Sequence, residues 1–545
     1  NNPFFNAGID NQVARITNSN WAKKSENHFK ISNKALTELN KVYLKWIDEM
    51  ILGPINISHY NLNENILSNN NNIGSEKLGI FSSLMYAVGA RHGMSPHNRK
   101  FHWNSLGEYF EPVYYDGDIE IEQATNQMKM FNDKNYEFTI IKSKNVKKAQ
   151  RIVENLKINI LYNKFIESGG KLSKDEVELF FKKLSNNLII LQEYVSNKNF
   201  APKDIRSTML NNYFDGLRKT KTKTKNLKVV YNSIYLDENY LLCNIEDNEC
   251  EKINLQKDEI SKLISDELVK DNTIYQYIGI KENLDKENQD NYYKKLRIKN
   301  TDFYYDENIV IEYNKDQNNL NIFQKSPFAR AYFINGELDT ININFIGLEI
   351  DEDNQNQYTS INDYGLTGCL TFKNMKFNNV KIKGDKGACE DTINLINSIG
   401  EINEIKITDA FSDALDLDFS NLDIDNVMIS KSNNDCADFS FGNYNIEKFN
   451  LNNCGDKALS VGERSVLNTN EAIISNSNIG IASKDSSIIN VQETNIKNTK
   501  ECLAAYNKKQ EFSGSYLKIK RSKCINYYKM IDKDKLSHIE IIEEI

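Results

Sequence analysis

The stretch EIKITDAFSDALDLDFSNLDIDNVMISKSNNDCADFSFGNYNIEKFNLNN (404–453) decides the fold, because it repeats itself. Ile407, Ile429 and Leu451 sit in the triplets KIT, MIS and NLN, and Ile474, Ile496 and Ile519 continue the column. The intervals are 22, 22, 23, 22 and 23 residues. A second column of small or apolar residues follows eight positions on, at Leu415, Ala437, Leu459, Ala482 and Ala504. At ~3.3 Å per strand residue, 22 residues make three short strands with turns, one coil of a right-handed parallel β-helix. Stacked coils satisfy one another's backbone hydrogen bonds. A leucine-rich repeat needs an LxxLxLxxN frame that is absent, and a propeller blade needs about twice the period.

All six prolines, Pro3, Pro54, Pro96, Pro112, Pro202 and Pro327, precede residue 328. The Pro-free region 328–545 is therefore read as the β-helix, with looser coils in RAYFINGELDTININFIGLEI (330–350) and LTFKNMKFNNVKI (370–382). The tail DKDKLSHIEIIEEI is expected to cap the last coil. Upstream, 32–51 places Ala35, Leu39, Val42, Trp46 and Met50 on one helical face. KFHWN and YFEPVYYDGD read as two strands of a hairpin. Residues 143–196 read as two helical segments split by Gly169-Gly170, the second opened by a capping box of Ser173 with Glu176. The rest of 143–327 reads as mixed α/β. The opening NNPFFNAGIDNQVARI has mid-domain character, so an upstream segment is expected.

Charged residues make up 26% of the 545 and the net charge is −8, which excludes a polycation built to coat nucleic acid. No stretch approaches the ~20 apolar residues of a membrane span. The run RKTKTKTKNLK (218–228) lacks interleaved aromatics and reads as a solvated strand or loop. Eight cysteines show neither CxxC pairs nor zinc spacing. In a chain this long they read as small, semi-buried fillers rather than a disulfide framework.

Acidic residues recur at one turn of successive coils: Glu390 and Asp391, then Asp413, Asp416 and Asp418, then Asp435 and Asp438, then Asp456. Asp413 to Asp435 is 22 residues and Asp435 to Asp456 is 21, so the three are expected in one file at ~4.8 Å spacing. Stacked carboxylates repel unless they share a cation, a proton or a basic partner. Lys457, Arg464 and Lys484 are the basic candidates. Three readings stand: turn-capping Asp and Asn, a Ca²⁺-dependent lyase or epimerase site with a Lys or Arg base, or a hydrolase with two carboxyls ~5–9.5 Å apart.

The densest chemical cluster lies elsewhere, in RHGMSPHNRKFHWNSLGEYFEPVYYDGD (91–118), with His92, His97 and His102 among six histidines in the chain. A polar loop beside a hairpin would suffice to explain it. Its segments GARHGMSPHNRKFHWN and YFEPVYYDGD also resemble the spore coat protein H (CotH) family of atypical, secreted-type protein kinases, in particular a bacterial subgroup with a C-terminal β-helix. GDKALSVGERS (455–465) and GIASKDSS (480–487) resemble the same subgroup. The resemblance covers roughly residues 1–125, and assigns 1–142 to a partial kinase-like region. It implies an α+β kinase-like fold and phosphorylation of proteins with ATP and Mg²⁺ or Mn²⁺. Asn98 would match the loop Asn near the metal, and Asp116 the strand-ending Asp that binds it. His92 stands near the position of the family's catalytic Asp, and no N-lobe Lys is visible before residue 91.

The expected protein is thus a kinase-like region, a helical and mixed middle, and a β-helix facing a protein acceptor or a cell-surface polysaccharide. A carbohydrate-active β-helix beside an inactive kinase-like region, and a structural or adhesive surface protein, are the alternatives.

Overall fold

The structure is a computed structural model that describes residues 4–6, 15–40, 72–94, 98, 100–130, 141–167, 171–196, 226–233, 239–244, 250–255, 259, 262–264, 268–270, 273–281, 293–349, 360–362 and 364–545. The chain divides into two compact units, 1–287 with 363–365, and 288–362 with 366–545.

In the first unit the helix Glu26–Leu39 starts at Ser25, whose side chain accepts the His28 amide, and it buries Ala35 and Leu39. Val42, Trp46 and Met50 lie outside the described residues. The hairpin is present: Lys100–Asn104 pairs antiparallel with Tyr109–Val113, and Trp103 and Phe110 are buried. The helix Asn72–Ala87 shares a core with Ser143–Glu154 and Lys174–Ser196, through Met85, Val146, Ala149, Leu184 and Leu188. The capping box forms, with the Ser173 amide donating to Glu176 Oε2 at 2.7 Å. The first helical segment is broken earlier than expected, at Asn155, and resumes as Ile158–Glu167. A second sheet places Asn226–Ser233 between Asn239–Asn244 and Thr273–Lys281. The end of the basic run, residues 226–228, is therefore central strand, while 218–225 lies outside the described residues. None of this establishes a kinase-like lobe.

The second unit is the parallel β-helix. Its strands begin upstream of residue 328: the hairpins Tyr293–Ile298/Thr301–Asp306 and Ile309–Asn314/Asn319–Gln324 pair antiparallel. They lie on the first coil and close its open edge. From Asn342–Ile346 onward every pairing between coils is parallel. One continuous core runs along the axis, with Ile407, Ile429, Leu451, Ile474 and Ile496 stacked and buried.

Three sequence expectations are corrected. Ile496 pairs with Cys524, whereas Ile519 pairs with Val491 in a neighbouring column. The cause is a longer coil, since Ile488 meets Tyr516, 28 residues on, instead of 22. In the second column Leu459 is followed by Ile481 and Leu503, and Ala482 and Ala504 lie one step outward. A bulge between Cys454 and Lys457 moves the register by one. The tail is not a separate cap, because His538–Glu544 pairs in parallel with Tyr516–Lys533, His538 on Tyr516, as one more strand of the solenoid.

The richness in Asn has a structural cause. One corner of the coil holds a residue at positive φ: Asp409, Lys431, Asn453, Asn476, Asn498 and Asn526, between 55° and 70°. Asn and Asp adopt this left-handed conformation more readily than other residues with a Cβ.

Six of the eight cysteines are not free thiols. Disulfides join Cys369–Cys389, Cys436–Cys454 and Cys502–Cys524, with sequence separations of 20, 18 and 22 residues. Each separation is about one coil, so each disulfide staples a coil to its neighbour. Closing loops of this size stabilises by roughly 3 kcal/mol apiece.

Candidate functional site

The strand Asp413–Asp418 turns Leu415 and Leu417 into the core, which sends Asp416 and Asp418 outward. Strand pairing then builds two outward files. Asn394, Asp416, Asp438, Ser460 and Ala482 form one, and Ile396, Asp418, Ser440 and Gly462 form the other. At the entry to these strands a third file runs from Asp391 to Asp413. Its hydrogen bonds continue it: the Asp435 amide donates to Asp413 Oδ1 at 2.8 Å, and the Lys457 amide to Asp435 Oδ1 at 2.9 Å. Asp456 therefore is not the third member. Its amide donates to the Asn434 carbonyl, and Lys457, at the full 22-residue interval, takes the position.

The expected repulsion is relieved in two ways. The first is ammonium groups. Lys457 Nζ lies 3.3 Å from Asp435 Oδ1 and also pairs with Asp456. Lys484 Nζ lies 3.5 Å from Asp438 Oδ1, two coils away. Its stem lies over Gly462, where a Cβ would stand 3.4 Å from Lys484 Cε, in ordinary van der Waals contact. Both lysines are buried. Burial opposes their charge, yet Asp435 and Asp456 for Lys457, and Asp438 and Asp435 for Lys484, raise both above the ordinary lysine value.

The second way is protons. Burial, reinforced by the charge of Asp435, lifts Asp413 to about 7. Burial, with Asp438 nearby, lifts Asp418 to about 6. Burial drives Asp391 and Asp416 well above the carboxylate range, with Asp413 and Asp418 as their respective charged neighbours. Asp391 Oδ2 is buried without a hydrogen-bond partner, as suits a neutral carboxyl better than an anion. Asn394 Nδ2 donates to Asp416 Oδ2 at 2.9 Å. Glu390 is also raised by burial.

One flank of this acid strip was invisible in the repeat. The extra residues of the long coil carry Lys509, which pairs with Glu463, and Ser440 Oγ donates to Glu463 Oε2 at 2.7 Å. Burial opposes the ionisation of Glu463, but these two bonds hold it below its ordinary value. Tyr506 sits in register with Lys484. Phe419 and Phe441 stack at 4.8 Å and remain 49% and 41% exposed beside Asp418 and Ser440. Phe512 packs on Phe441, and Arg464 lies over the Phe512 ring at 5.7 Å instead of joining the carboxylates. The only sequence signal for Lys509 was the length of its coil.

In the first unit, His92, Asn98 and Asp116 converge. Asn98 Nδ2 donates to the His92 carbonyl at 3.1 Å, and His92 Nε2 lies 3.2 Å from Asp116 Oδ2. His92 and Asp116 are exposed, at 50% and 56% of their side-chain surface, and Asp116 takes a φ of 45°. His97 lies outside the described residues. Among the described residues no group of three or more His, Cys, Asp or Glu is placed to hold a metal ion. No described helix is long and apolar enough to cross a membrane. No protein-family model, curated protein or solved structure matches this chain.

Proposed function

We propose that the acid strip of the β-helix hydrolyses a glycosidic bond. The observation that carries this reading is a mixed set of carboxyls on consecutive coils. Asp416 and Asp418 are held toward the protonated form by burial, and Asp438, one coil on, is paired with Lys484. Glycoside hydrolysis needs such a division: a neutral carboxyl to protonate the leaving oxygen and a carboxylate to attack or to activate water. Matching residues on adjacent coils lie ~4.8 Å apart, close to the ~5–5.5 Å separation of a retaining pair. Asp416 is then the acid and Asp438 the nucleophile. Asn394 orients Asp416, and Lys484 orients Asp438.

Two further features support a glycan. The stacked pair Phe419 and Phe441, both partly exposed, offers apolar surface to a sugar beside the acids. Elimination by a lyase would need a neutral basic side chain, and both buried lysines are shifted toward the charged form. The test is release of reducing ends from a panel of neutral and acidic polysaccharides by the full chain. Release is expected to fall at least ~10²-fold in Asp416→Asn and Asp438→Asn. Unsaturated products would replace hydrolysis by elimination, and no release from any polymer would sink the reading.

The kinase-like alternative belongs to the first unit and has one observation in its favour, the convergence of His92, Asn98 and Asp116. Its test is transfer of labelled phosphate from ATP to protein, lost in Asp116→Ala.

A further inference from the structure

A second strip of the β-helix, away from the acid strip, has its own construction. Asp423, Asn445, Asn468 and Asn490 occupy matching positions on four successive coils. Asn445 Nδ2 donates to Asp423 Oδ1 at 2.7 Å, Asn468 Nδ2 to Asn445 Oδ1 at 3.0 Å, and Asn490 Nδ2 to Asn468 Oδ1 at 3.0 Å. A second row stands two residues on, beyond one inward residue. There Asn403 Nδ2 donates to Asp425 Oδ2 at 3.2 Å, and Asn470 Nδ2 to Glu447 Oε2 at 2.7 Å. Between the rows lies a cavity of about 330 Å³, floored by Ile424, Ile446 and Thr469. Through Asp425 it meets a second cavity of about 480 Å³, which continues along Asn403, Glu404 and Lys381 to Asn342.

The ladder leaves binding capacity unused. A carboxamide has two N–H donors and two lone pairs. Asn445 and Asn468 each spend one donor and one lone pair on their neighbours, so each keeps one of both at every coil. From Asn342 to Gln492 the trough crosses seven coils, roughly 30 Å at the coil spacing. A ligand that matches it must be linear, must repeat about once per coil, and must carry paired donors and acceptors along its length. A sugar chain does so, because each residue presents hydroxyls and spans about one coil spacing. The charge narrows the choice. Glu404, Asp423, Asp425 and Glu447 outnumber Lys381, so the lining opposes a polyanion. The second N–H of each Asn side chain asks for an acceptor, which a hydroxyl supplies and an ammonium group does not.

We propose that this trough is a binding site for an uncharged polysaccharide, of about six sugars, one to each spacing between its seven coils. It holds the polymer without cleaving it, and it does not depend on the reading of the acid strip.

The experiment is affinity gel electrophoresis of the full chain in hydroxyethylcellulose, glucomannan and arabinoxylan, with chitosan and polygalacturonate as charged counterparts. At least one neutral polymer should retard the protein, and neutral oligosaccharides should bind more tightly with length up to about six sugars. Asn468→Ala removes a central amide, and Asn470→Trp fills the trough from its exposed row. Each should weaken retardation at least tenfold, and Asn470→Trp should do so with an unchanged melting temperature. Asp438→Asn, in the acid strip, should bind as the parent does, whether or not the parent cleaves anything. The proposal is overturned if no neutral polymer retards the protein, or if Asn470→Trp binds normally. Tighter binding to chitosan or polygalacturonate than to every neutral polymer, or loss of binding in Asp438→Asn, overturns it equally.

Discussion

The strip through Asp391, Asp413 and Asp435 and the strip through Asp423, Asn445, Asn468 and Asn490 obey one stacking rule and answer it differently. Both place matching side chains ~4.8 Å apart on successive coils. Asn answers its own image, since an amide donates to the copy below and accepts from the copy above. Asp does not. Its copies repel, so the acid strip needs protons on Asp413 and Asp418 and ammonium groups from Lys457 and Lys484. A self-complementary ladder offers a surface for binding. A strip that cannot satisfy itself holds shifted acids beside fixed charges, which is the raw material of acid–base chemistry.

The largest effect should follow from removing an ammonium group. Lys484→Met leaves Asp438 without its buried ammonium partner, while Asp435 keeps Lys457. Breaking one side of a buried ion pair costs about 3–5 kcal/mol. A urea titration should show the midpoint fall accordingly, while retardation by neutral polymers stays unchanged. An unchanged midpoint would mean that water, not Lys484, neutralises the strip.

Next is the Cys436–Cys454 disulfide, which lies beside the same strip, since the Cys436 amide donates to the Lys457 carbonyl at 2.9 Å. Replacing both cysteines with Ala should cost about 3 kcal/mol. If the disulfide also sets the register of Asp435 and Lys457, the double variant should lose reducing-end release while keeping neutral-polymer binding. Equal loss of both would show that the two strips are not independent.

The pH dependence should sharpen the contrast with smaller shifts. Asp413 and Asp418 rise from 3.8 to about 7 and about 6. Between these values the folded chain keeps protons that the unfolded chain has released. Stability contributed by these groups is therefore full below about pH 4, is lost as pH rises toward about 7, and is flat beyond. Melting temperature measured across that window should fall with rising pH, and less steeply in Asp413→Asn. A melting temperature that rises through the window would contradict the burial assigned to both groups.

The repeat was legible because aliphatic residues at a near-constant interval survive in sequence as a column. Its register was less legible wherever a coil changes length. Ile519 and Ala482 were misplaced because the bulge at 454–457 and the 28-residue coil break the arithmetic. Asp456 was preferred to Lys457 for a similar reason: counting acidic residues favoured like with like, whereas the backbone puts a lysine in the file. The disulfides carry no local motif, although their separations of 20, 18 and 22 residues approximate one coil. That an acid cluster exists was readable. That Lys484 reaches over Gly462 to Asp438 was not, since the contact spans two coils.

The smallest effect should come from the amide ladder, and it tests the comparison most directly. Asn468 makes two ladder bonds, to Asn445 and from Asn490, both at 3.0 Å and both on an exposed edge. A neutral hydrogen bond contributes a net ~0.5–1.5 kcal/mol, and solvent at an exposed site replaces much of what is lost. Asn468→Ala should therefore cost about 1 kcal/mol or less by urea titration. Asn468→Asp keeps the shape of the side chain but removes its donors, which turns a carboxylate oxygen toward Asn445 Oδ1, and sets a carboxylate diagonal to Glu447 on the neighbouring coil. Like charges opposed on neighbouring strands destabilise, so this variant should be less stable than Asn468→Ala at pH 7 and recover as pH falls. If Asp is tolerated at 468 as well as Ala, self-complementarity is not what holds this strip, and the distinction between the two faces reduces to burial alone.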